Sequence, residues 1–437
     1  MLNCLDLVRI GLLRAETFQT AEITRRTLNF SLSSVAVVEP VYTGAVFSVD
    51  IDATGRYLLA GAGDGSWYIH DTFNLTGEID HQKKCVSQAP RRVGHTSSIN
   101  TVEWYPADNG LFVTSSSDGN LCLWDANNAA KPVDKYDLDE VISRHQINPC
   151  SGTMIAACSD GDVNLIDIRT GTAIQKLPET LTRSKEVCWN PANQYELMVG
   201  SEEGSLIEWD IRSTLTYRGY GLLEVKVARR GVRTRDFKEQ VGLLQKAHDG
   251  PISSIRYRKD GMEFYSFGDD GCIRRWLSET SPLSEPLVCT LKYGRKSKGH
   301  GNFQIGISAD TDPPLIFAPK GTSISVCDMK TCKVQKELVG HFKNVNCFVY
   351  DDKYQQGYSG GNDSAVMVWS GNFVSEQTYQ QEKLNSAISS GRHGRQRRRP
   401  AATTSANQQL INLIDEDDFD EYEPASSASD NEDPSLY

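Results

Sequence analysis

The chain has 437 residues and a formal net charge of −11. That is room for one large domain with tails, and its mildly acidic balance argues against a dedicated DNA-binding face. The eleven cysteines are scattered with no Cys-x-x-Cys pair, which reads as reduced intracellular thiols and excludes a disulfide framework or a zinc site; no cofactor or metal is expected.

In chain order, residues 1–26 come first. Leu5, Val8 and Leu12, with Ile10 and Leu13, recur at near-helical spacing, and Arg14-Ala15-Glu16-Thr17 and Thr24-Arg25-Arg26-Thr27 follow. The spacing predicts a short helical segment whose apolar stripe must be buried on the main domain or on another protein. Asp6 and Arg9 interrupt the apolar start, so neither a signal peptide nor a membrane span is read there.

Residues 27–370 read as strands. Val46 to Ile51 and Leu121 to Trp124 alternate or run apolar over strand-length windows bounded by Asp-Gly turns, and no long stretch of 40–370 has a helical period. Three copies of one pattern stand out: His95, Thr114, Asp118, Trp124; His248, Ser266, Asp270, Trp276; and His341, Ser359, Asp363, Trp369. In each, Asp precedes Trp by 6 residues and a hydroxyl residue precedes Asp by 4. Degenerate copies end near His70, Ile166, Trp209 and Cys327, which gives seven marks. A period of ~40–45 residues with this signature reads as WD40 repeats, one four-stranded blade each. The expected fold is all-β: a seven-bladed WD40 β-propeller with a short N-terminal helical segment and a disordered C-terminal tail. Thr27 to Val38 is expected to close the ring by joining blade seven.

Ser266, His248 and Asp270 have the chemistry of a catalytic triad, as do Ser359, His341 and Asp363. An enzyme needs one such site. Here the set recurs with a tryptophan attached, and once with threonine for serine, so a repeated structural need explains it better. Trp N–H, hydroxyl, His and Asp can satisfy one another in a buried chain of hydrogen bonds. No catalytic residue is assigned.

The step from Trp209 to Trp276 is long, so an insertion is placed at about 217–240. It carries Arg218, Lys226, Arg229, Arg230, Arg233, Arg235 and Lys238. A solvated loop is the plainer reading; contact with nucleic acid or an acidic partner is the alternative. Tyr42, Phe47, Tyr68, Trp104 and Tyr105 suggest exposed or rim aromatics, and the pattern does not decide their burial. Residues 371–437 are rich in Ser, Gln, Asn and Ala and are expected to be disordered. They hold a basic cluster, Arg392 to Arg399, of the kind read by nuclear import, and an acidic-aromatic patch, Asp415 to Glu423.

The chain resembles the Cockayne syndrome group A family of WD40 substrate receptors of cullin-RING ubiquitin ligases. The resemblance runs from about residue 10 to 370. It rests on Arg14-Ala15-Glu16-Thr17 with Thr24-Arg25-Arg26, on Val102-Glu103-Trp104-Tyr105-Pro106 leading to Phe112 and Ser115-Ser116, on Ala247-His248, and on Gly340-His341-Phe342-Lys343 with Tyr358-Ser359-Gly360. Trp209-Asp210-Ile211-Arg212 is a Trp-Asp-x-Arg motif, which such receptors use to dock on the damage-specific DNA-binding protein one adaptor. Asp167-Ile168-Arg169 ends the neighbouring blade in a similar way. The motif is read as following an inner strand, from which Arg reaches the narrow rim. Pairing of Arg212 with Asp210 or with a neighbouring blade is the plainer alternative. The resemblance implies an adaptor-binding set of Arg14, Glu16, Arg25, Arg26, Asp167, Arg169, Asp210 and Arg212. It also implies a cullin four-RING ligase, RNA polymerase II complexes and the Cockayne syndrome group B protein as partners, and the nucleus as location. A generic scaffold propeller for chromatin or RNA-processing complexes is the competing reading.

Overall fold

The computed structural model describes residues 14–33, 36–73, 81–89, 91–159, 162–177, 183–212, 216–220, 225–229, 246–278, 287–291 and 303–371, together with Arg9. Within them the chain forms seven radially arranged antiparallel sheets. Blades one to six span 46–89, 99–137, 142–177, 184–229, 252–290 and 306–339, and blade seven takes 345–371 plus an N-terminal strand. All seven marks read from the sequence fall on the third strand of a blade. The turns that join first to second and third to fourth strands share one face, because Ile168 N–H donates to Thr153 O and Ile211 N–H to Tyr195 O across them. The blade-to-blade turns and the second-to-third turns lie on the opposite, far face.

Closure comes from the N-terminal side. Phe30–Leu32 pairs antiparallel with Val366–Gly371 as the fourth strand of blade seven. The expected closing segment, Thr27 to Val38, is divided by the structure: Thr27 ends a helix, Phe30–Leu32 closes the ring, and Ala36–Val38 pairs in parallel with His81–Lys83 beside blade one. The one helix among the described residues, α1 (Ala15–Leu28), precedes the closing strand. It ends two residues beyond the predicted segment, and the apolar positions from Leu5 to Leu13 lie outside the described residues. Ile23, Thr24 and Thr27 are its buried positions. Thr24 Oγ accepts the Asp312 N–H at 3.1 Å, and the Thr27 hydroxyl meets the Tyr350 hydroxyl at 2.9 Å. Asp312 sits in the first-to-second turn of blade six, so α1 is fixed to the face that carries those turns, called here the helix face.

The predicted insertion needs revision. Thr216–Tyr220 is the fourth strand of blade four, paired with Leu206–Asp210, and Val225–Arg229 adds a fifth strand. A segment read as a loop from residue 217 therefore begins inside the sheet. The Asp-Gly signature lies at second-to-third turns and marks no fourth strand, so it gave no sign of Thr216–Tyr220. Residues 230–245 and the tail from 372 lie outside the described residues.

The core is packed between neighbouring blades. Trp67 sits edge-on to Phe112 and Trp124 of blade two, with ring centroids 4.7 and 5.3 Å away. Phe30 joins Phe317, Phe348, Tyr350 and Trp369 in one cluster, so the closing strand is held by blade six as well as blade seven. Tyr42, Tyr68 and Trp104, suggested as exposed or rim aromatics, are buried in these interfaces. The ten described cysteines are free thiols.

First strands pair on one side only, and side chains of the preceding blade meet their open amides. Asp50 accepts the Trp104 N–H at 2.8 Å, Glu103 accepts Ile147 N–H at 2.7 Å, and Glu186 accepts Ile255 N–H at 3.3 Å. Gln146 accepts from Trp189, and Ser254 from Ile305. Between blades six and seven the backbone itself bridges, Phe348 N–H donating to Gln304 O at 3.0 Å, and Asn346 Nδ2 donates to Val46 O of blade one. Within the ring these strands line a cavity of about 310 Å³ edged by Asp50, Glu103, Arg144, Arg256 and Tyr350. Arg144 is paired with Glu186 at 2.8 Å, both almost wholly buried.

Phe30→Ala should lower the unfolding free energy by about 3–4 kcal/mol, because it empties a filled aromatic pocket at the seam. Leu32→Ala, on the half-exposed end of the same strand, should cost less than about 1 kcal/mol. Urea unfolding of the two variants side by side checks the pair.

Candidate functional site

The three repeated sets form closed networks. Trp124 Nε1–H donates to the Thr114 hydroxyl at 2.8 Å, which lies 2.6 Å from His95 Nε2. His95 Nδ1 faces Asp118 at 3.4 Å. In blade five the matching distances are 2.9 Å for Trp276 to Ser266, 2.7 Å for Ser266 to His248 and 3.0 Å for His248 to Asp270. In blade seven they are 2.7, 2.7 and 2.9 Å for Trp369, Ser359, His341 and Asp363. The direction of each chain follows from its donors. Trp can only donate, so the hydroxyl accepts from it and turns its own proton to Nε2. That leaves the imidazole proton on Nδ1, aimed at the carboxylate. A serine whose oxygen is held by an indole at the end of a buried chain has no room to attack a substrate. The histidine bond to Asp118, Asp270 and Asp363 holds all three carboxyls below the usual range, although burial opposes it. In blade five Arg274 also donates to Asp270, at 2.8 Å.

Blade one solves the same problem with other residues. His70 stands where tryptophan is expected, and its Nε2 lies 2.7 Å from the Tyr42 hydroxyl. Burial pushes the His70 pKa down to about 4.

The adaptor-binding set is arranged differently. Arg169 and Arg212 follow the third strands of blades three and four, Asp162–Asp167 and Leu206–Asp210, each paired on both sides within its sheet. Third strands run towards the helix face, so both arginines and α1 share it. Each arginine is folded back on its own turn. Arg212 donates from its backbone to Asp210 at 3.0 Å and from Nε and Nη2 at 3.0 and 2.8 Å, and its guanidinium lies over the Tyr195 ring, 4.3 Å from the centroid. Arg169 repeats the backbone bond to Asp167 at 2.8 Å, with a looser side-chain pair at 3.4 Å. Pairing lowers both aspartates, Asp210 mainly through the Arg212 side chain and Asp167 mainly through the Arg169 backbone. Both guanidinium groups stay in solvent: the side chain of Arg212 is 58 % exposed and that of Arg169 is 73 % exposed.

Around α1, Arg14 occupies the N-cap position without a side-chain cap bond, and Glu16 lies in the exposed first turn. Arg25 and Arg26 converge on Glu22, at 2.8 and 3.0 Å. Hydrogen bonds from Arg25 first and Arg26 second take the Glu22 carboxyl down to about 2. The eight residues therefore share a face but form two separate groups. One lies beside blades six and seven, the other on blades three and four. Sequence reasoning missed Glu22, which organises the helix arginines, and Tyr195, which supports Arg212. Glu22 at i, i+3 and i, i+4 to the arginines was a legible signal. Tyr195 was not, since it comes from a turn of a different hairpin.

His341→Ala should lower stability by about 1–3 kcal/mol, since Ser359 and Asp363 lose their common partner inside a blade; chemical denaturation measures this. A pH effect follows from His70. Free imidazole titrates near ~6.5, above the folded value, so the unfolded chain takes up the proton first and stability drains away as pH falls from about 6.5 towards 4. The double variant Tyr42→Phe/His70→Phe should show a shallower slope of unfolding free energy in that window.

Residues 37–71, 86–125, 239–276 and 332–370 match the family described as WD domain, G-beta repeat. Among relatives, the WD repeat-containing protein ATCSA-1 of Arabidopsis thaliana is 27 % identical, over 85 % of this chain and 96 % of that protein. Radiation-sensitive protein 28 of Saccharomyces cerevisiae is 30 % identical over 43 % of this chain and 40 % of its own length. The human GATOR2 complex protein WDR59 is 30 % identical over 26 % of this chain, and the chain spans only 12 % of it. Four repeat matches set in a ring of seven radial sheets make this chain a WD40-repeat β-propeller.

Proposed function

We propose that this propeller is a non-catalytic substrate receptor of a cullin-RING ubiquitin ligase acting in transcription-coupled repair. Its helix face docks on an adaptor like damage-specific DNA-binding protein one, and its far face offers repair or transcription factors to the ligase. One observation carries the reading. Two consecutive blades end in Asp-x-Arg on the face that also bears α1, and both arginines remain largely in solvent. Asp210 and Tyr195 hold the Arg212 fork in a fixed plane. A prearranged guanidinium loses little freedom when an adaptor carbonyl or carboxylate arrives at its open edge. The match to ATCSA-1 along nearly its whole length supports the same reading, as its name carries the Cockayne syndrome A abbreviation.

In this reading the cullin four-RING assembly lies beyond the adaptor. RNA polymerase II complexes and the Cockayne syndrome group B protein are the neighbours on the substrate side, and the nucleus is the compartment. No residue of the chain does covalent chemistry. Its contribution is effective concentration, holding a target lysine near a charged ubiquitin carrier.

A scaffold propeller with no adaptor is the second reading. It is favoured by the internal pairing of Arg169 with Asp167 and of Arg212 with Asp210. The fold dictates how to separate the two. Deleting residues 1–26 would strip Thr24 from blade six and remove the buried Ile23, so point changes are the sound test. The full chain carrying Arg14→Glu, Arg169→Ala and Arg212→Ala should melt as the parent does. It should co-purify with adaptor and cullin at least about tenfold less, a loss of roughly 1.4 kcal/mol or more. Undiminished co-purification would leave the scaffold reading standing.

A further inference from the structure

The far face carries one feature that the fold does not require. The turn that opens each complete network has the same backbone bond. The residue after the histidine donates its N–H to the network aspartate: Thr96 to Asp118 at 2.7 Å, Asp249 to Asp270 at 3.2 Å, Phe342 to Asp363 at 3.1 Å. The backbone makes this bond whatever the side chain, and only Thr96 adds its hydroxyl to the same carboxylate, at 3.4 Å. Two of the three turns fill it with a polar residue, as an exposed position would dictate. The third fills it with Phe342, which is 73 % exposed, and Val339 three residues earlier is 70 % exposed. These are the two most exposed large apolar side chains among the described residues.

The platform beneath them is firm. His341 is buried and bonded on both ring nitrogens. Val345 N–H donates to Gly321 O at 2.7 Å, and Asn362 N–H to Asn344 O at 2.8 Å, tying the turn to blades six and seven. Nearby charges are already matched, Lys320 with Glu337 and Asp363 with His341. Lys343, next in the chain, is exposed and has no ion pair among the described residues. A rigid, protruding aromatic beside an unmatched cation is the anatomy of an interface anchor.

We propose that Phe342, with Val339 and Lys343, docks a protein partner that offers an apolar pocket edged by carboxylates. Phe342 enters the pocket and Lys343 meets its acidic rim. The pocket belongs to the partner because Phe342 projects from the turn and supplies no groove of its own. The charge at the rim is negative because Lys343, which has no ion pair among the described residues, is positive. The site depends on neither an adaptor nor a ligase.

The test uses the full chain with p-benzoylphenylalanine in place of Phe342, irradiated in nuclear extract, and the crosslinked peptides are sequenced. The same photoreactive residue in place of Thr96 is the control. The expected result is one captured protein whose crosslinked segment is apolar and flanked by Asp or Glu. Capture should be absent from the Thr96 position, fall about tenfold with Lys343→Glu, and persist with Lys343→Arg. In an otherwise natural chain, Phe342→Ser should leave the melting temperature unchanged. Equal capture from both positions, indifference to Lys343→Glu, a basic or polar captured segment, a second copy of this chain, or no capture would each overturn the proposal. A marked loss of melting temperature in Phe342→Ser would do so as well, by making Phe342 structural.

Discussion

A strand hydrogen-bonded along one edge has amides on its other edge that must find acceptors, and the central ring of this propeller is built from seven such strands. In a flat sheet the next strand would supply the acceptors. In a radial arrangement the neighbouring first strand is for the most part too far for its backbone to reach. Side chains span the gap: Asp50, Glu103, Gln146, Glu186 and Ser254 each accept an amide of the following blade. An unmet buried amide costs about 1–3 kcal/mol, so the ring is stable only while every blade presents its acceptor. This explains why carboxyl groups sit in the most enclosed part of the molecule. Burial raises the Asp50 pKa to about 6 and pushes Glu103 higher than its ordinary value. They are retained there because they join blades, and the Arg144–Glu186 pair keeps the same surroundings near electrical balance.

The two polar systems of the fold work at different ranges, and that decides what could be read in advance. The Trp-hydroxyl-His-Asp network is local, so its spacing along the chain is fixed and repeats. Blade number, third-strand positions and the structural role of Ser266 and Ser359 were all legible from it. Blade one was harder, because Tyr42 and His70 replace two members and only the turn at Asp64-Gly65 survives as a marker. Blade four was misread beyond Asp210, because the marker lies at second-to-third turns and says nothing of where a fourth strand or an added fifth one runs. The belt around the channel was invisible. Its partners lie 43 to 69 residues apart on separate blades, and aspartate, glutamate, glutamine and serine carry no shared signature there.

The candidate docking face was legible in its residues but not in its geometry. Asp210 and Arg212 are two positions apart, so their pairing is a property of one turn and could be foreseen. That the strand before the turn is the third of its blade depends on counting strands within the blade. The helix is a related case. Arg25 and Arg26 were visible as a cationic pair, while Glu22, which binds both, was overlooked beside them. The burial of Tyr42, Tyr68 and Trp104 was not legible for another reason. In a propeller both faces of each sheet are covered by neighbours, so alternation along a strand does not separate inside from outside.

The closing strand and α1 are one continuous stretch, with only Asn29 between them. The polypeptide therefore fastens its ring with the same ribbon that carries the helix on which a partner is proposed to sit. Load applied to that helix by a bound protein is delivered to the clasp itself. A partner that holds α1 against blade six also keeps Phe30 in its socket, so occupancy on the outside would make the ring slower to spring open. The clasp is also the last joint to be made. The ribbon is synthesised before its partner and has nothing to fasten to until Val366–Gly371 arrives, so the newborn chain must carry an unpaired edge while the blades between are made.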